Sequence, residues 1–441
     1  MRILFWTKAR IIPRVCAALV LGVGTIGINL AAAESQPEKK EECKGALAGL
    51  PSATGPHIEK ITAMGDDTWL SLGAPAPDPK WGRALGRTWS PKMPYAPELR
   101  GAFLGGAGNH GWVNPKTNRQ MDDYWFYDIN TNRWICVYPG TNVGDLDATL
   151  ILNQDGFTAH KDGEAIPVVL CVHAYECLGY DTDRKRFLCM DQGYGCFYGP
   201  AGEWNSKHKS KTEGSPWYFD TIAGKWGRQG LKGSYPTHIG LGDVMTYVPS
   251  KKQVFYHSFG SGRHLSYFYD SASNLWTEVK TNWSEENRQK TVSDSYKEFA
   301  NGDAGACYDS KRDRIYIGKG KNLSYLDVKT NTWVDLKPQG DFNAFSPADA
   351  VMNYDSVNDK VTIIDRGGQG YAPDPTRKGK VYIYDPETNT APATSGTMLD
   401  KVVQLNGFYD PILNVHFIHN ALDNYEGTMW AYRYKRAKDA K

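Results

Sequence analysis

YWFYDINTNRWICV, residues 124–137, is the stretch on which the fold turns. An aromatic strand ends in Tyr127-Asp128, a polar turn follows through Thr131 and Asn132, and Trp134 opens the next strand. The phrase returns as WYFDTIAGKW (217–226), YFYDSASNLW (267–276), LSYLDVKTNTW (323–333) and VYIYDPETNTA (381–391), where Ala391 stands in the Trp slot. A sixth, partial copy is MWAYRY (429–434). Self-similarity at a period of about fifty residues is the signature of a radially repeated sheet.

A second phrase precedes each of these: Tyr-Asp, a few polar residues, then a short apolar strand running toward Gly. Clear copies are CYDSKRDRIYIGKG (307–320), NYDSVNDKVTIIDRGG (353–368), GYDTDRKRFLCMDQG (179–193) and FYDPILNVHFIHN (408–420). TYVPSKKQVFYHSFG (246–260) and PYAPELRGAFLGGAG (94–108) carry Val248 and Ala96 in place of the Asp. Alternation such as Ile315 and Ile317 against Arg314 and Tyr316 is the period of a strand, and Asp, Asn and Gly supply the reversals. Each unit therefore reads as a four-stranded sheet. Six Tyr hairpins, led by Tyr95, Tyr180, Tyr247, Tyr308, Tyr354 and Tyr409, predict six blades. The outer strand of the sixth is expected from the other end of the chain, where TWLSLG (68–73) matches NTWVDL (331–336) and puts Trp69 in the Trp slot. The reading is an all-β, six-bladed propeller closed by an N-terminal strand, which removes an exposed sheet edge.

The aromatic-Tyr-Asp…Thr-Asn-x-Trp turn, the Tyr-Asp hairpin and the Gly doublets at Gly105-Gly106 and Gly367-Gly368 resemble kelch repeats, the family that includes the central domain of galactose oxidase. The resemblance spans residues 68 to 434. Likeness to the oxidase implies seven blades and a copper site of Tyr and His ligands, completed by a domain after the propeller. With six blades and a chain running out at Lys441, none of those ligands is carried over, and no cofactor or metal is expected.

Residues 1–33 read as a signal peptide: Arg2, Lys8, Arg10 and Arg14, an apolar run from Val15 to Leu30, then Ala31-Ala32-Ala33. An uncleaved membrane anchor is the alternative. Residues 34–62 read as a charged, disordered linker, 63–436 as the propeller and 437–441 as a tail. The protein is thus expected to be secreted or periplasmic. Its net charge of +2 falls to −2 once the four basic residues of 1–33 are removed. That balance, without a basic run among aromatics, argues against nucleic acid and against membrane contact apart from the export signal. A 12% aromatic content suits blades packed by Trp and Tyr. The segment 283–300 is the best candidate for helix.

Cys171, Cys177, Cys189 and Cys196 cluster in blade two. One or two disulfides, buried free thiols and a metal are all compatible with them, although the spacings are not those of a structural zinc site.

The connections on one face of the ring are where function is expected. The ligand-binding candidates are His110, His173, His238, His257, Arg263, Arg366 and His419, joined by His264, Asn109, Gln369, Asn420, Asn301, Asp303 and Asp349. If they converge on one mouth, imidazole and guanidinium groups there suit an anionic or hydroxyl-rich ligand. Insertions around blade two add Tyr194, Phe197, Tyr198 and Trp204, either a sugar-stacking platform or a cover for the blade edge. Two functions follow as expectations: a binding scaffold for protein or glycan, or a carbohydrate-active enzyme with a His- and Arg-rich rim pocket.

Overall fold

The computed structural model describes residues 42–106, 111–161, 174–190, 198–211, 216–228, 232–236, 242–259, 264–284, 304–340, 350–366, 379–395, 404–422 and 424–437. Glu42–Lys441 form one compact unit. It is a six-bladed all-β propeller. From the axis outward, blade 1 is Tyr95–Ala96, Gly101–Leu104, Tyr124–Asp128 and Arg133–Tyr138; blade 2 is Leu178–Asp181, Arg186–Cys189, Trp217–Asp220 and Lys225–Arg228. Blade 3 is Val244–Val248, Gln253–Ser258, Leu265–Asp270 and Leu275–Val279; blade 4 is Gly305–Asp309, Arg314–Lys319, Asn322–Asp327 and Thr332–Leu336. Blade 5 is Ala350–Asp355, Lys360–Asp365 and Lys380–Tyr384; blade 6 is Leu405–Asp410, Val415–Asn420, Thr428–Arg433 and, as expected, the N-terminal Thr68–Gly73. Trp69 pairs with Tyr432 in that closing ladder, their ring centroids 4.8 Å apart and tilted by 36°.

The repeated phrase has a mechanical cause. Asp128, Asp220, Asp270, Asp327 and Asp385 each accept backbone N–H groups from residues two or three further on, which is how a short carboxylate holds a reversal. The last turn residue then enters left-handed space, with φ of 48° at Asn132, 55° at Asn274, 53° at Asn331 and 53° at Asn389. Asn and Asp tolerate that region best among residues with a side chain. Five positions before Asn132, Asn274 and Asn389 a Tyr hydroxyl secures the turn, donating from Tyr127, Tyr269 and Tyr384, and in the first hairpins Tyr308, Tyr354 and Tyr409 do the same for Asp313, Asp359 and Asn414; before Asn331 the position is Leu326. Tyr, Asp and Asn in the motif are therefore one hydrogen-bonded unit.

The Trp slot fills the space between sheets. Trp134 and Trp276 are buried, Trp226 is half-buried against Phe187 and Phe219, and Trp333 stacks on Trp283 at 4.6 Å. Where Ala391 replaces Trp, blade 5 has no regular fourth strand among the described residues, and two isolated bridges at Thr390 and Ala393 stand in for it. Gln339, from the preceding connection, covers that edge by exchanging backbone hydrogen bonds with Asn389 and Ala391. Ala76 does the same for blade 1 and Lys232–Gly233 for blade 3, so the crossovers shield outer edges that would otherwise pair with other chains. In blade 1 the Gly doublet is required: a Cβ on Gly105 would lie 2.0 Å from the Tyr124 ring, and Gly106 has φ +86°.

Residues 42–62 correct the linker expectation. They are ordered, with Gly45–Leu47 and His57–Thr62 helical, because Leu47 and Ile61 are buried against the blades and His57 Nε2 bonds the Ile129 carbonyl at 2.7 Å. The segment's charge is concentrated before residue 45, and its apolar residues find a core. Residues 1–41, where the export signal was read, and 285–300, most of the expected helix, lie outside the described residues. The described part of blade 2's insertion does contain a helix, Gly199–His208. Among the described residues no helix is long and apolar enough to cross a membrane.

Candidate functional site

Of the residues expected at the rim, His110, His173, His238 and Arg263 lie outside the described residues, as do Asn109, Gln369, Asn301, Asp303 and Asp349. His257, Arg366 and His419 are described, and all three are buried. The structure does not bring the two histidines together. His257 packs between blades 3 and 4 against Phe259 and Trp333, donating to or accepting from Ser266 Oγ at 2.8 Å and His264 Nδ1 at 3.2 Å. His419 lies between blades 6 and 1, edge-on to Trp134 at 5.2 Å, with neither ring nitrogen bonded to protein. Burial holds the His257 imidazolium well below its usual range, with His264 adding to the effect. For His419 burial, helped by the Arg87 charge, brings the value down to about 3. Both rings are neutral at physiological pH and act as parts of the aromatic interblade core.

The aromatic platform also resolves in part. Tyr194 and Phe197 lie outside the described residues, while Trp204 is buried beside Leu150 and Ala201, stacks on His208 at 4.0 Å and donates to Asp147 at 2.8 Å. It covers the insertion's own small core. Cys177 and Cys189 are buried free thiols, bonded to the Asp243 carbonyl and the Tyr124 hydroxyl; Cys171 and Cys196 lie outside the described residues. No cluster of metal-ligating side chains occurs among the described residues.

Two other places gather chemistry. The first is a cleft of about 40 Å³ over blade 1, lined by Trp81, Arg83, Trp112, Arg119, Asp123 and Trp125 among others. Trp81 and Arg83 come from the long crossover between blades 6 and 1. Asp78 fixes its turn, accepting the Lys80 and Trp81 N–H groups with one oxygen and the Cys136 N–H with the other. Trp112 precedes, and Arg119 belongs to, a small hairpin, Val113–Asn114 with Arg119–Gln120, inserted between the second and third strands of blade 1. The Arg119 guanidinium lies over the Trp81 ring at 4.8 Å and donates to the Gly140 carbonyl; Arg83 pairs with Glu426 at 2.8 Å. Asp123 spends one oxygen on Arg87, 3.0 Å away and buried, and on Trp125 Nε1. Its other oxygen has no protein partner. By volume the cleft holds about three waters, enough for hydroxyl groups along one sugar edge.

The second place is the axis. A cavity of about 190 Å³ runs along the inner strands, lined by Lys92, Thr246, Cys307, Asn353 and a ring of tyrosines. Lys92, just before the first inner strand, donates to the Met245 carbonyl and lies 3.3 Å from the buried Glu176. Burial pushes the Glu176 carboxyl up to about 7, while Lys92 and the Ala306 N–H pull the other way. Residues from blades 1 to 4 thus meet across the axis around one ion pair.

Neither place was among the residues singled out from sequence. The signal for the cleft was present as length: the connection between Gly106 and Tyr124 is far longer than its counterparts in blades 3 and 4, and it carries three Asn beside Trp112 and Arg119.

No family model and no curated protein matches the chain. Among solved structures it is similar to the crystal structure of TolB from Acinetobacter baumannii, with 12% identity and a TM-score of 0.37 over 73% of this chain. The match spans only 62% of the TolB chain's length.

Proposed function

We propose that this protein is an exported kelch-type propeller that binds a glycan, and that the glycan carries an anionic substituent. The observation that carries the reading is the cleft, where tryptophan rings and two guanidinium groups stand together. Aromatic faces suit the C–H faces of sugar rings, and guanidinium favours carboxylate or sulfate. The kelch assignment is supported by the Tyr-Asp…Asn-x-Trp turns and by the strict need for glycine at Gly105. Export is supported by the charged, apolar and small-residue order of residues 1–33.

A glycan array with neutral and acidic members, followed by calorimetry on the best ligand, tests this. Trp112→Ala and Arg119→Ala should each weaken binding at least tenfold, about 1.4 kcal/mol. A glycan bound equally well by both variants would remove the cleft from the proposal. No binding on an array that includes acidic glycans would leave the protein-ligand alternative. The enzyme alternative finds less support: a general acid or base must reach its substrate, yet Glu176 is buried behind Lys92 and Asp123 is already engaged by Arg87.

A further inference from the structure

We propose that the axial cavity is a second, separate binding site, and that its ligand is a small carboxylate whose charged end meets Lys92. This does not depend on the glycan reading, since the cavity and the cleft share no lining residue.

The charge balance of the lining leads to an anion. The tyrosine hydroxyls around the cavity are already engaged: Tyr95 with Asp410, Tyr308 with Asp313, Tyr354 with Asp359, and Tyr409 with Asn414 and Asp355. Burial raises the pKa of each, so all four stay neutral. Lys92 is then the charged group in the described lining. An ammonium has three donors. The Met245 carbonyl takes one and Glu176 faces another, which leaves the third for a ligand. Asn353 adds a polar side chain to the lining, and a carboxylate in its place would repel an anionic ligand. Met93, Met352 and Phe408 make part of the wall apolar. A cavity of about 190 Å³ exceeds the roughly 150 Å³ that accommodates benzene in an engineered core. The size therefore suits a short acid with a few carbons.

Glu176 couples this site to protons. The groups around it are Lys92, the Ala306 N–H and the Cys307 thiol, which burial holds protonated. Asp243, near it in sequence pairing, turns its carboxylate to the Tyr256 hydroxyl and the Phe259 N–H. A ligand carboxylate on Lys92 puts a second negative charge beside the ammonium, and Glu176 answers by taking up a proton. Binding then tightens as pH falls through the range where empty-site Glu176 titrates.

The probes are propionate and its uncharged isostere propionamide, followed by calorimetry and ligand-observed NMR on the intact protein. Propionate should bind about tenfold more tightly at pH 6 than at pH 8, and propionamide at least tenfold more weakly at pH 6. Lys92→Met should abolish propionate binding. Asn353→Asp, which leaves the ion pair in place, should weaken it at least tenfold. Glu176→Gln should keep binding and lose the pH dependence, and Trp112→Ala should change nothing. Circular dichroism and melting confirm that each variant is folded. The proposal is overturned if propionate fails to bind at pH 6, if the folded Asn353→Asp variant binds as well as the parent, or if the parent's affinity is the same at both pH values.

Discussion

The two faces of the ring are built by different rules. On the face of the tight turns, an Asp carboxylate holds a reversal in every blade, and the blades are latched to one another mainly by charge. Arg100 of blade 1 holds Asp410 of blade 6 with two bonds of 2.7 and 2.8 Å, and Arg312 of blade 4 holds Asp359 of blade 5 in the same forked way. Arg184 of blade 2 reaches Asp270 of blade 3, and Ser250 of blade 3 reaches Asp313 of blade 4. On the opposite face the connections differ in length and composition from blade to blade, and one of them carries the tryptophan cleft. A closed ring needs identical joints on one side only; the other is left to carry chemistry.

The largest way to break this contrast is through the interblade core. Trp276→Ala, removing a fully buried ring between Tyr256 and Tyr269, should cost about 3–5 kcal/mol, read as a lower denaturant midpoint. Asp410→Ala comes next. Its buried carboxylate serves Arg100, the Tyr95 hydroxyl and the Ile412 N–H, and its loss leaves a partly buried guanidinium unpaired, at about 3 kcal/mol. If chemical denaturation shows either change to be neutral, the turn face is not the joint described here.

Acid sharpens the comparison differently. His416 and His419 lie in the two interblade spaces beside blade 6, and burial lowers them to about 4 and about 3. A group whose folded pKa lies below its unfolded value is protonated mainly in the unfolded state as pH falls. Stability is therefore lost from about pH 6.5 downward, by about 2 kcal/mol for each such His between pH 7 and 5. Glu176 acts in the opposite sense, since its raised pKa lets the folded state bind a proton first, between about 4.5 and 7. His419→Leu should flatten the acid limb of a stability–pH curve, and an unchanged limb would show that His419 is not buried as described. Asp327→Ala is smaller still: it removes the acceptor for the Thr330 N–H and hydroxyl in an exposed turn, about 1 kcal/mol, with ligand binding intact. Smallest is Trp112→Ala, which should shift stability by no more than about 0.5 kcal/mol while impairing the glycan binding proposed above.

Much of the fold was legible because repetition amplifies a weak local signal. One Tyr-Asp pair before a turn says little; in register with Asn132, Asn274, Asn331 and Asn389 it marks the same left-handed residue again and again. Closure through Trp69 was legible for the same reason. Even the fault at Ala391 was visible, and it coincides with the blade that lacks a regular outer strand among the described residues. The histidines mislead because a place next to a loop does not make a side chain exposed. His257 and His419 stand at the ends of second strands, yet their rings turn into the spaces between blades, where neighbouring aromatics exclude water.

The sequence by itself determined what depends on neighbours a few residues apart: the turns, the alternation, the count of blades and the strand that closes them. Only the tertiary structure decided which distant side chains meet. Lys92, Glu176, Met245 and Ala306 belong to four successive blades, and Trp81 reaches Arg119 through a crossover and a hairpin that no repeat specifies. The order of residues along the chain sets each blade's local hydrogen bonds, whereas proximity at the axis and in the cleft follows from the closure of the ring.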